Sequence, residues 1–292
     1  MRIVYIGAIE FSTHCLEAVL ANGGNVVAVF TLPPETGKQR HSDYAPVPWP
    51  RSVHWADNIN DHADTIWDFA PDVIFCFGWS GLLSPEVLAI PRLGCIGSHP
   101  TLLPRNRGHH PLIWAIALGL KETGLSFFRM AERVDAGPLI SQERIPLGAE
   151  EDARSLYDKV KASASRQISD FLPRMIAGEM PLVAQDHGVE PNIWRKRGPA
   201  DGRIDFRMSS AAICRLVRAL TRPYPGATVR YKGKEYRVWS CVEANFFYGD
   251  ENLEPGKVGF SVDGWMYIKT GDGSVRFVEH ELPTMKSGDY IM

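Results

Sequence analysis

Residues 94–137 read GCIGSHPTLLPRNRGHHPLIWAIALGLKETGLSFFRMAERVDAG, and this stretch decides the predicted fold. A short apolar run ends at His99 and is followed by a loop rich in proline, arginine and glycine. The apolar segment 112–118 predicts a buried helix, and a second apolar run at 125–130 leads to Asp135. A histidine and a carboxylate therefore each follow a predicted strand. Ligands of open α/β sheets bind beside strand ends, so we expect both side chains to face one crevice.

The residues before this stretch predict a parallel sheet. Segments 2–6 and 26–30 are short, apolar and β-branched, and 11–21 between them has apolar residues at helical spacing. A β-α-β start favours a parallel sheet with right-handed crossovers. The apolar run 73–77 adds a third strand, and the proline-rich segment 32–50 predicts a surface loop or lid.

The pattern changes in the last third of the chain. A long amphipathic helix is predicted at 153–176, and a polar, basic segment rich in glycine and proline follows it. Short alternating runs separated by glycine turns come next, which is typical of a small barrel. The predicted fold class is therefore α/β: a Rossmann-like parallel-sheet domain at 1–185, a linker at 186–200, and a small, mostly-β, OB-like domain at 201–292.

Composition narrows the class of protein. A net charge of -2 and a pI near 6.5 argue against a surface built to bind nucleic acid. The five cysteines are widely spaced and form no C-x-x-C pair, as expected for buried, reduced thiols of a cytoplasmic protein. No apolar run reaches the length of a membrane helix, so we expect neither a membrane span nor a signal peptide.

Other site chemistries have weaker support in the sequence. The first loop reads GAIEF rather than G-x-G-x-x-G, and there is no P-loop lysine motif. His109 and His110 are adjacent and lack a third ligand at metal-binding spacing, so no metal site is predicted. His99 with Asp135 remains as the functional pair, against the alternative of a structural histidine and an unrelated surface aspartate.

These motifs resemble the formyltransferase family that uses 10-formyltetrahydrofolate. That family includes methionyl-tRNA formyltransferase, glycinamide ribonucleotide transformylase and the sugar N-formyltransferases. The resemblance covers nearly the whole chain, and its first domain would be the catalytic one. It is carried by GAIEFS (7–12), HPTLLP (99–104), Arg107-Gly108, Pro111, Trp114, ETG (122–124), DAG (135–137), DGRID (201–205), RALT (218–221) and Pro225-Gly226.

The resemblance implies catalytic roles for His99 and Asp135. His99 would act as the base toward the attacking amine and return a proton to the leaving nitrogen, while Asp135 orients and stabilises it. The family also uses an asparagine two positions before the histidine, where this chain has Gly97. We expect Asn106 to supply the missing hydrogen-bond donor, with His110 and Ser98 as alternatives.

The resemblance also implies binding residues for two substrates. The pterin of the co-substrate 10-formyltetrahydrofolate would lie against two loops, with a histidine nearby; these residues are Gly81, Leu82, Leu83, Ala131, Glu132, Arg133, Val134 and His109. Candidates for binding the acceptor's phosphate or the folate's glutamate are Ser98, Arg105, Arg107, His110, Arg195 and Arg197. For each arginine taken alone, a solvated surface charge is the more common interpretation.

Charge favours a small acceptor. The loop after the second strand, basic in the tRNA-binding branch, here balances Lys38 and Arg40 with Glu35 and Asp43. We therefore expect a nucleotide-linked aminodeoxysugar and no nucleic acid partner. The GSHP motif at 97–100 resembles the branch that acts on 4-amino sugars of surface glycans, which implies a precursor of the pseudaminic acid type. Methionyl-tRNA formyltransferase is the alternative, and a non-catalytic homologue that binds folate or sugar nucleotide is the second. A homodimer is compatible with the sequence.

Overall fold

The computed structural model describes residues 1–49, 53–247 and 252–292. In the described residues that precede the last third of the chain, the strands are β1 (Arg2–Ile6), β2 (Asn25–Thr31), β3 (Val53–Trp55), β4 (Val73–Cys76), β5 (Cys95–His99), β6 (Arg107–Gly108), β7 (Glu122–Arg129), β8 (Leu139–Pro146) and β9 (Ile193–Trp194). The helices among them are α1 (Glu10–Ala21), α2 (Pro34–Arg40), α3 (Ala63–Asp68), α4 (Pro85–Ala89), α5 (Pro111–Ala117) and α6 (Ala153–Ile176). The last third contains α7 (Ser210–Leu220), β10 (Ala227–Tyr231), β11 (Lys234–Ala244), β12 (Val258–Phe260), β13 (Met266–Lys269) and β14 (Ser274–His280).

The chain divides into two compact units. The first comprises Met1–Pro111, Glu122–Pro146 and Asp158–Arg195. The second comprises Leu112–Lys121, Leu147–Tyr157 and Lys196–Met292.

The first unit is built on a seven-stranded sheet in the order β3-β2-β1-β4-β5-β7-β8. The first five strands in this order, β3, β2, β1, β4 and β5, are parallel to one another. Strand β7 pairs antiparallel with β5, and β8 pairs antiparallel with β7. Helices cover both faces of the sheet, and residues 3–6 of β1 are buried. Residues of α3 and α4 pack with Val4 and Ile6 on one face, and Phe171 of α6 meets Phe75 and Phe127 on the other. The predicted Rossmann-like α/β fold is confirmed.

The segment after β2 differs from its prediction. A helix, α2, occupies Pro34–Arg40, so the prediction of a loop is wrong there; residue 50, the end of that prediction, lies outside the described residues. Pro34 starts the helix, where its missing N–H costs no hydrogen bond. Glu35 lies in the first turn and Lys38 and Arg40 in the last, which suits the helix dipole.

Ser12 organises the loop between β1 and α1. Its hydroxyl donates to the Phe77 carbonyl (2.6 Å) and accepts from the main-chain N–H groups of Ala8 (3.1 Å) and Ile9 (3.2 Å). The amides at this turn, which bind phosphate in dinucleotide sites, are therefore bonded within the chain. Gly7 is needed because a Cβ there would overlap Ser12 and lie 2.7 Å from the Phe77 carbonyl oxygen.

The second unit holds a five-stranded antiparallel sheet in the order β10-β11-β14-β13-β12, with α7 packed on β11. The predicted mostly-β C-terminal domain is confirmed. All five cysteines are buried, as predicted. Among the described residues, no helix has both the length and the apolar character needed to cross a bilayer.

Gly7→Ala tests the packing of the first loop. We expect a loss of about 1–3 kcal/mol in the free energy of unfolding, because the added methyl has no space beside Ser12 and Phe77. The measurement is urea denaturation. The matched control is Gly198→Ala, since Gly198 has no atom within 4 Å of its Cβ position and an ordinary φ of -119°. Equal stability of the two variants would contradict the close packing described here.

Candidate active site

His99 is the last residue of β5, and a main-chain carbonyl fixes its ring. Its side chain is 7% exposed, and Nε2 lies 2.8 Å from the carbonyl oxygen of Asn106. A carbonyl oxygen only accepts, so Nε2 carries the hydrogen of this bond. In the neutral ring, Nδ1 then holds the lone pair.

Asp135 faces that lone pair. Its Oδ2 lies 3.7 Å from Nδ1 of His99 and accepts from the main-chain N–H of Gly108 at 3.0 Å. The Asp135 side chain is 14% exposed, and its φ of +52° places it in the left-handed region, which aspartate tolerates better than most residues. Two proton acceptors therefore face each other across a gap slightly longer than a hydrogen bond.

His99 and Asp135 lie close together, but not because both follow strands that end at the same edge of the sheet. Strand β7 runs antiparallel to β5 with Arg129 opposite Ile96, so the end of β7 lies beside the start of β5, away from His99. The expectation of a shared strand edge is wrong. Asp135 reaches His99 because the loop 130–138 folds back on β7. Gly137 permits this, since a Cβ there would overlap the carbonyl oxygen of Arg129.

Gln185 holds this loop in place. Its amide Nε2 donates to the carbonyl oxygens of Asp135 and Gly137, each at 2.8 Å, and its Oε1 accepts from Nη2 of Arg107 at 2.6 Å. Both Gln185 and Arg107 are buried. Sequence analysis assigned no role to Gln185, because a glutamine beside a predicted linker carries no local pattern.

The main-chain carbonyl of Asn106 contacts the His99 ring. Its φ of +61° turns its carbonyl into the hydrogen bond with His99, and its N–H donates to Oδ1 of Asn192 at 2.9 Å. The neighbouring pair β6–β9 ties this loop to residues 193–194. His109 and His110 follow on the surface, with ring centroids 6.3 Å apart.

The position of the missing asparagine is filled by neighbours. A Cβ at Gly97 would lie 3.0 Å from Cγ of Met130 and 3.2 Å from the Phe128 ring. A larger side chain at this position requires Met130 to move.

The remaining predicted acceptor-binding residues differ in their surroundings. Ser98 points to the face of the sheet opposite His99, because side chains alternate along a strand. Arg105 and Arg195 are exposed in the first unit, and Arg197 belongs to the second unit, where it stacks 4.6 Å above Trp114.

The two predicted pterin loops share an apolar base. Leu83 belongs to the same core cluster as Cys95, and Trp79 and Met130 pack against it. Above this base, Gly81, Leu82 and residues 131–134 are exposed, including the apolar side chains of Leu82 (66%) and Val134 (45%). Nε1 of Trp79 is buried and has no hydrogen-bond partner within the protein. Exposed apolar groups and an unused donor are suited to a flat heterocycle with polar edges.

The described part of the chain contains no group of three or more His, Cys, Asp or Glu side chains arranged to hold a metal.

Gln185→Leu tests how the Asp135 loop is held. We expect faster amide hydrogen exchange over residues 133–137, because two carbonyl groups and Arg107 lose their partner. The matched control is Gln167→Leu, since Gln167 is equally buried in the same unit and bonds Leu125 and Ser163. Mass spectrometry of exchanged peptides measures the difference. An unchanged 133–137 peptide in Gln185→Leu would show that the loop is held by other contacts.

Comparison with known proteins identifies the family of this chain. The Formyl transferase family model matches residues 1–172, and the Formyl transferase C-terminal domain model matches 197–291. Methionyl-tRNA formyltransferase of Agathobacter rectalis is 31% identical over 99% of this chain and 94% of its own length.

Two solved structures share the fold. HypX of Aquifex aeolicus, in complex with tetrahydrofolic acid, matches with a TM-score of 0.69 and 21% identity, covering 96% of this chain. The present chain spans only 44% of HypX. An N-formyltransferase of Helicobacter canadensis, in complex with folinic acid and dTDP-3-aminofucose, has a TM-score of 0.66 and 15% identity, covering 94% of this chain and 98% of its own.

The resemblance inferred from the sequence is confirmed by both family models and by the full-length relative. This chain belongs to the formyl transferase family.

Proposed function

We propose that this formyltransferase transfers the formyl group of 10-formyltetrahydrofolate to the primary amine of a nucleotide-linked aminodeoxysugar. The observation that carries the proposal is the gap of 3.7 Å between Nδ1 of His99 and Oδ2 of Asp135. Both atoms accept protons, and amide formation from an amine requires that protons be removed.

The pair supports a complete transfer. The acceptor nitrogen attacks the formyl carbon, a C–N bond forms, and the carbonyl π electrons move to oxygen. Nδ1 of His99 takes the proton lost by the attacking nitrogen, and the Asp135 carboxylate stabilises the resulting imidazolium. Collapse of the tetrahedral intermediate breaks the bond to the folate nitrogen, and His99 returns the proton to that nitrogen. The Nε2–H bond to Asn106 is kept throughout.

The tetrahedral oxyanion needs a donor, and Gly97 supplies no side chain. The Asn106 amide remains the best candidate, because its main chain already lies against His99. His110 and Ser98 are the alternatives from sequence, and Ser98 is disfavoured by its place on the opposite face of β5.

The donor folate is proposed to lie at the exposed loops of Leu82 and Val134. Gly81, Leu83, Ala131, Glu132, Arg133 and His109 complete the proposed folate site. The apolar surface of Leu82 and Val134 and the unused Trp79 donor support this position.

Charge supports a sugar nucleotide as the acceptor. The chain carries a net charge of -2, and in residues 31–47 Glu35 and Asp43 balance Lys38 and Arg40, so this segment has no surplus of cations to bind an RNA backbone. Its Arg40 is engaged, since Nη1 donates to the Asp57 carbonyl at 3.0 Å. A nucleotide sugar needs few cationic contacts, and Arg105, Arg107, Arg195 and Arg197 are the proposed candidates for them. A cytoplasmic location belongs to the same proposal, and a homodimer stays a prediction.

Methionyl-tRNA formyltransferase is the second candidate, because curated relatives of that name align over nearly the whole chain. The deciding experiment incubates the purified protein with 10-formyltetrahydrofolate and either amino-sugar nucleotides or methionyl-tRNA, with mass spectrometry of the products. We expect formylated sugar nucleotide and a shallow dependence on salt. Formylation of tRNA alone, with a steep loss of rate as salt rises, would overturn the sugar assignment. Folate binding without turnover of either acceptor would favour a non-catalytic homologue.

Asp135→Asn is expected to lower kcat by about 10²–10⁴-fold, because the imidazolium loses its neighbouring charge and the gap loses a proton acceptor. The control is His62→Gln, a ring that packs on Phe30 away from this loop. Steady-state rates with the best acceptor measure both. A rate for Asp135→Asn within a few-fold of the parent's would remove the carboxylate from the mechanism.

Asn106→Gly separates the side chain from the main chain. Glycine tolerates the φ of +61°, so the carbonyl bond to His99 is kept while the amide is lost. We expect kcat to fall by about 10²–10³-fold with an unchanged melting temperature, as for loss of one oxyanion donor. Parental turnover in Asn106→Gly would limit Asn106 to its main-chain role, and His110→Ala would then be the next variant to compare.

A further inference from the structure

Two cysteines of the second unit lie side by side. Cys214 belongs to α7 and Cys241 to β11, and α7 packs on β11. Their Sγ atoms are 3.2 Å apart, with the Cys241 thiol donating to the sulfur of Cys214. This separation is roughly 1 Å longer than a disulfide bond. A modest rotation of the two side chains supplies a movement of that size.

The two thiols differ in how readily they lose a proton. The hydrogen bond from Cys241 lowers the pKa of the Cys214 thiol. Arg218, one turn further along α7, lowers it as well, while burial and the carboxylates of Glu243 and Glu150 raise it. Donating that hydrogen bond raises the pKa of Cys241, and burial raises it further. Cys214 is therefore the first of the pair to become a thiolate, which is the reactive form of cysteine.

Arg218 is fixed close to this pair. Its Nη1 lies 3.2 Å from a carboxylate oxygen of Glu150, and its Nη2 donates to the carbonyl oxygen of Ala149 at 3.0 Å. Its side chain is 20% exposed, so little solvent screens its charge. A held cation on the same helix face supports a thiolate at Cys214.

The small exposure of the pair selects its reaction partner. Cys241 is 6% exposed and Cys214 is 1% exposed. Hydrogen peroxide is small enough for such a site, whereas a bulky disulfide such as oxidised glutathione is not. A metal ion is a poorer partner, because the part of the chain that the structure describes offers no set of three or more ligating side chains.

We propose that Cys214 and Cys241 form a reversible disulfide when the protein meets hydrogen peroxide. The Cys214 thiolate attacks one peroxide oxygen, the O–O bond breaks, and the leaving hydroxide takes up a proton to become water. Cys214 is then a sulfenic acid, oxidised by two electrons while the peroxide is reduced. The sulfur of Cys241 attacks it, an S–S bond forms, and the S–O bond breaks. The departing hydroxide takes the Cys241 proton as a second water.

The cross-link has a consequence for stability. It joins α7 to β11 across a sequence separation of 27 residues. A closed loop of this length restricts the unfolded chain more than the folded one, so oxidation stabilises the fold. The proposal concerns the second unit alone and goes beyond formyl transfer, because neither step of the oxidation involves folate or an acceptor.

The test treats the reduced full-length protein with hydrogen peroxide, alkylates the remaining thiols and identifies linked peptides by mass spectrometry. We expect a link between Cys214 and Cys241 that dithiothreitol removes. The melting temperature should rise by about 5–10 °C on oxidation and return to its former value on reduction. Oxidised glutathione at the same concentration should form the link far more slowly than peroxide does.

Cys241→Ala separates the two chemical steps. Without the second thiol, Cys214 should stop at the sulfenic acid, which dimedone traps, and peroxide should no longer raise the melting temperature. The matched control is Cys15→Ala, a buried cysteine of the first unit, which should form the link as the parent does. Peroxide-treated parent in which Cys214 and Cys241 remain free thiols, or are oxidised further without a link, would overturn the proposal. A link that leaves the melting temperature unchanged would overturn the stabilising role.

Discussion

One hydrogen bond fixes the orientation and the tautomer of His99: its Nε2–H donates to the main-chain carbonyl of Asn106. Because the carbonyl can only accept, the neutral ring must present its lone pair at Nδ1, toward Asp135. A side-chain partner could reverse its role by rotating or titrating, but a carbonyl cannot. The left-handed φ of Asn106 is the local constraint that aims this carbonyl at the ring.

The position of Asp135 depends on the loop 130–138, which folds back toward His99. Because β7 runs antiparallel to β5, the end of β7 lies beside the start of β5, away from His99. The loop that follows β7 must therefore fold back to place Asp135 beside the ring. Gly137 allows the close approach to Arg129, and Gln185 bonds the two carbonyls that flank Ala136. The carboxylate is then fixed by the N–H of Gly108, which belongs to the same loop region as Asn106. Two segments distant in sequence thus position the proposed base and its carboxylate.

Local patterns were sufficient for most of the fold. The strand at Arg2–Ile6 and the helix at Ala153–Ile176 have the limits expected from their apolar spacing, because burial of a face determines both. The helix at Pro34–Arg40 was missed, since it buries little apolar surface and depends on its proline start and charged ends. The pairing of His99 with Asp135 was expected from strand ends, but the direction of β7 is a tertiary property that the sequence does not encode locally. Gln185 was missed for the same reason, because its three partners come from 107, 135 and 137.

The tautomer of His99 is the most direct measure of this arrangement. Nitrogen-15 NMR of the imidazole, recorded above the pH at which the ring is charged, distinguishes a protonated nitrogen from one with a free lone pair. We expect the proton on Nε2 and the lone pair on Nδ1, in a ring whose Nε2–H is protected from solvent exchange. A ring protonated on Nδ1 would contradict the arrangement, because the Asn106 carbonyl would then face a lone pair and the base proposed to act beside Asp135 would be absent.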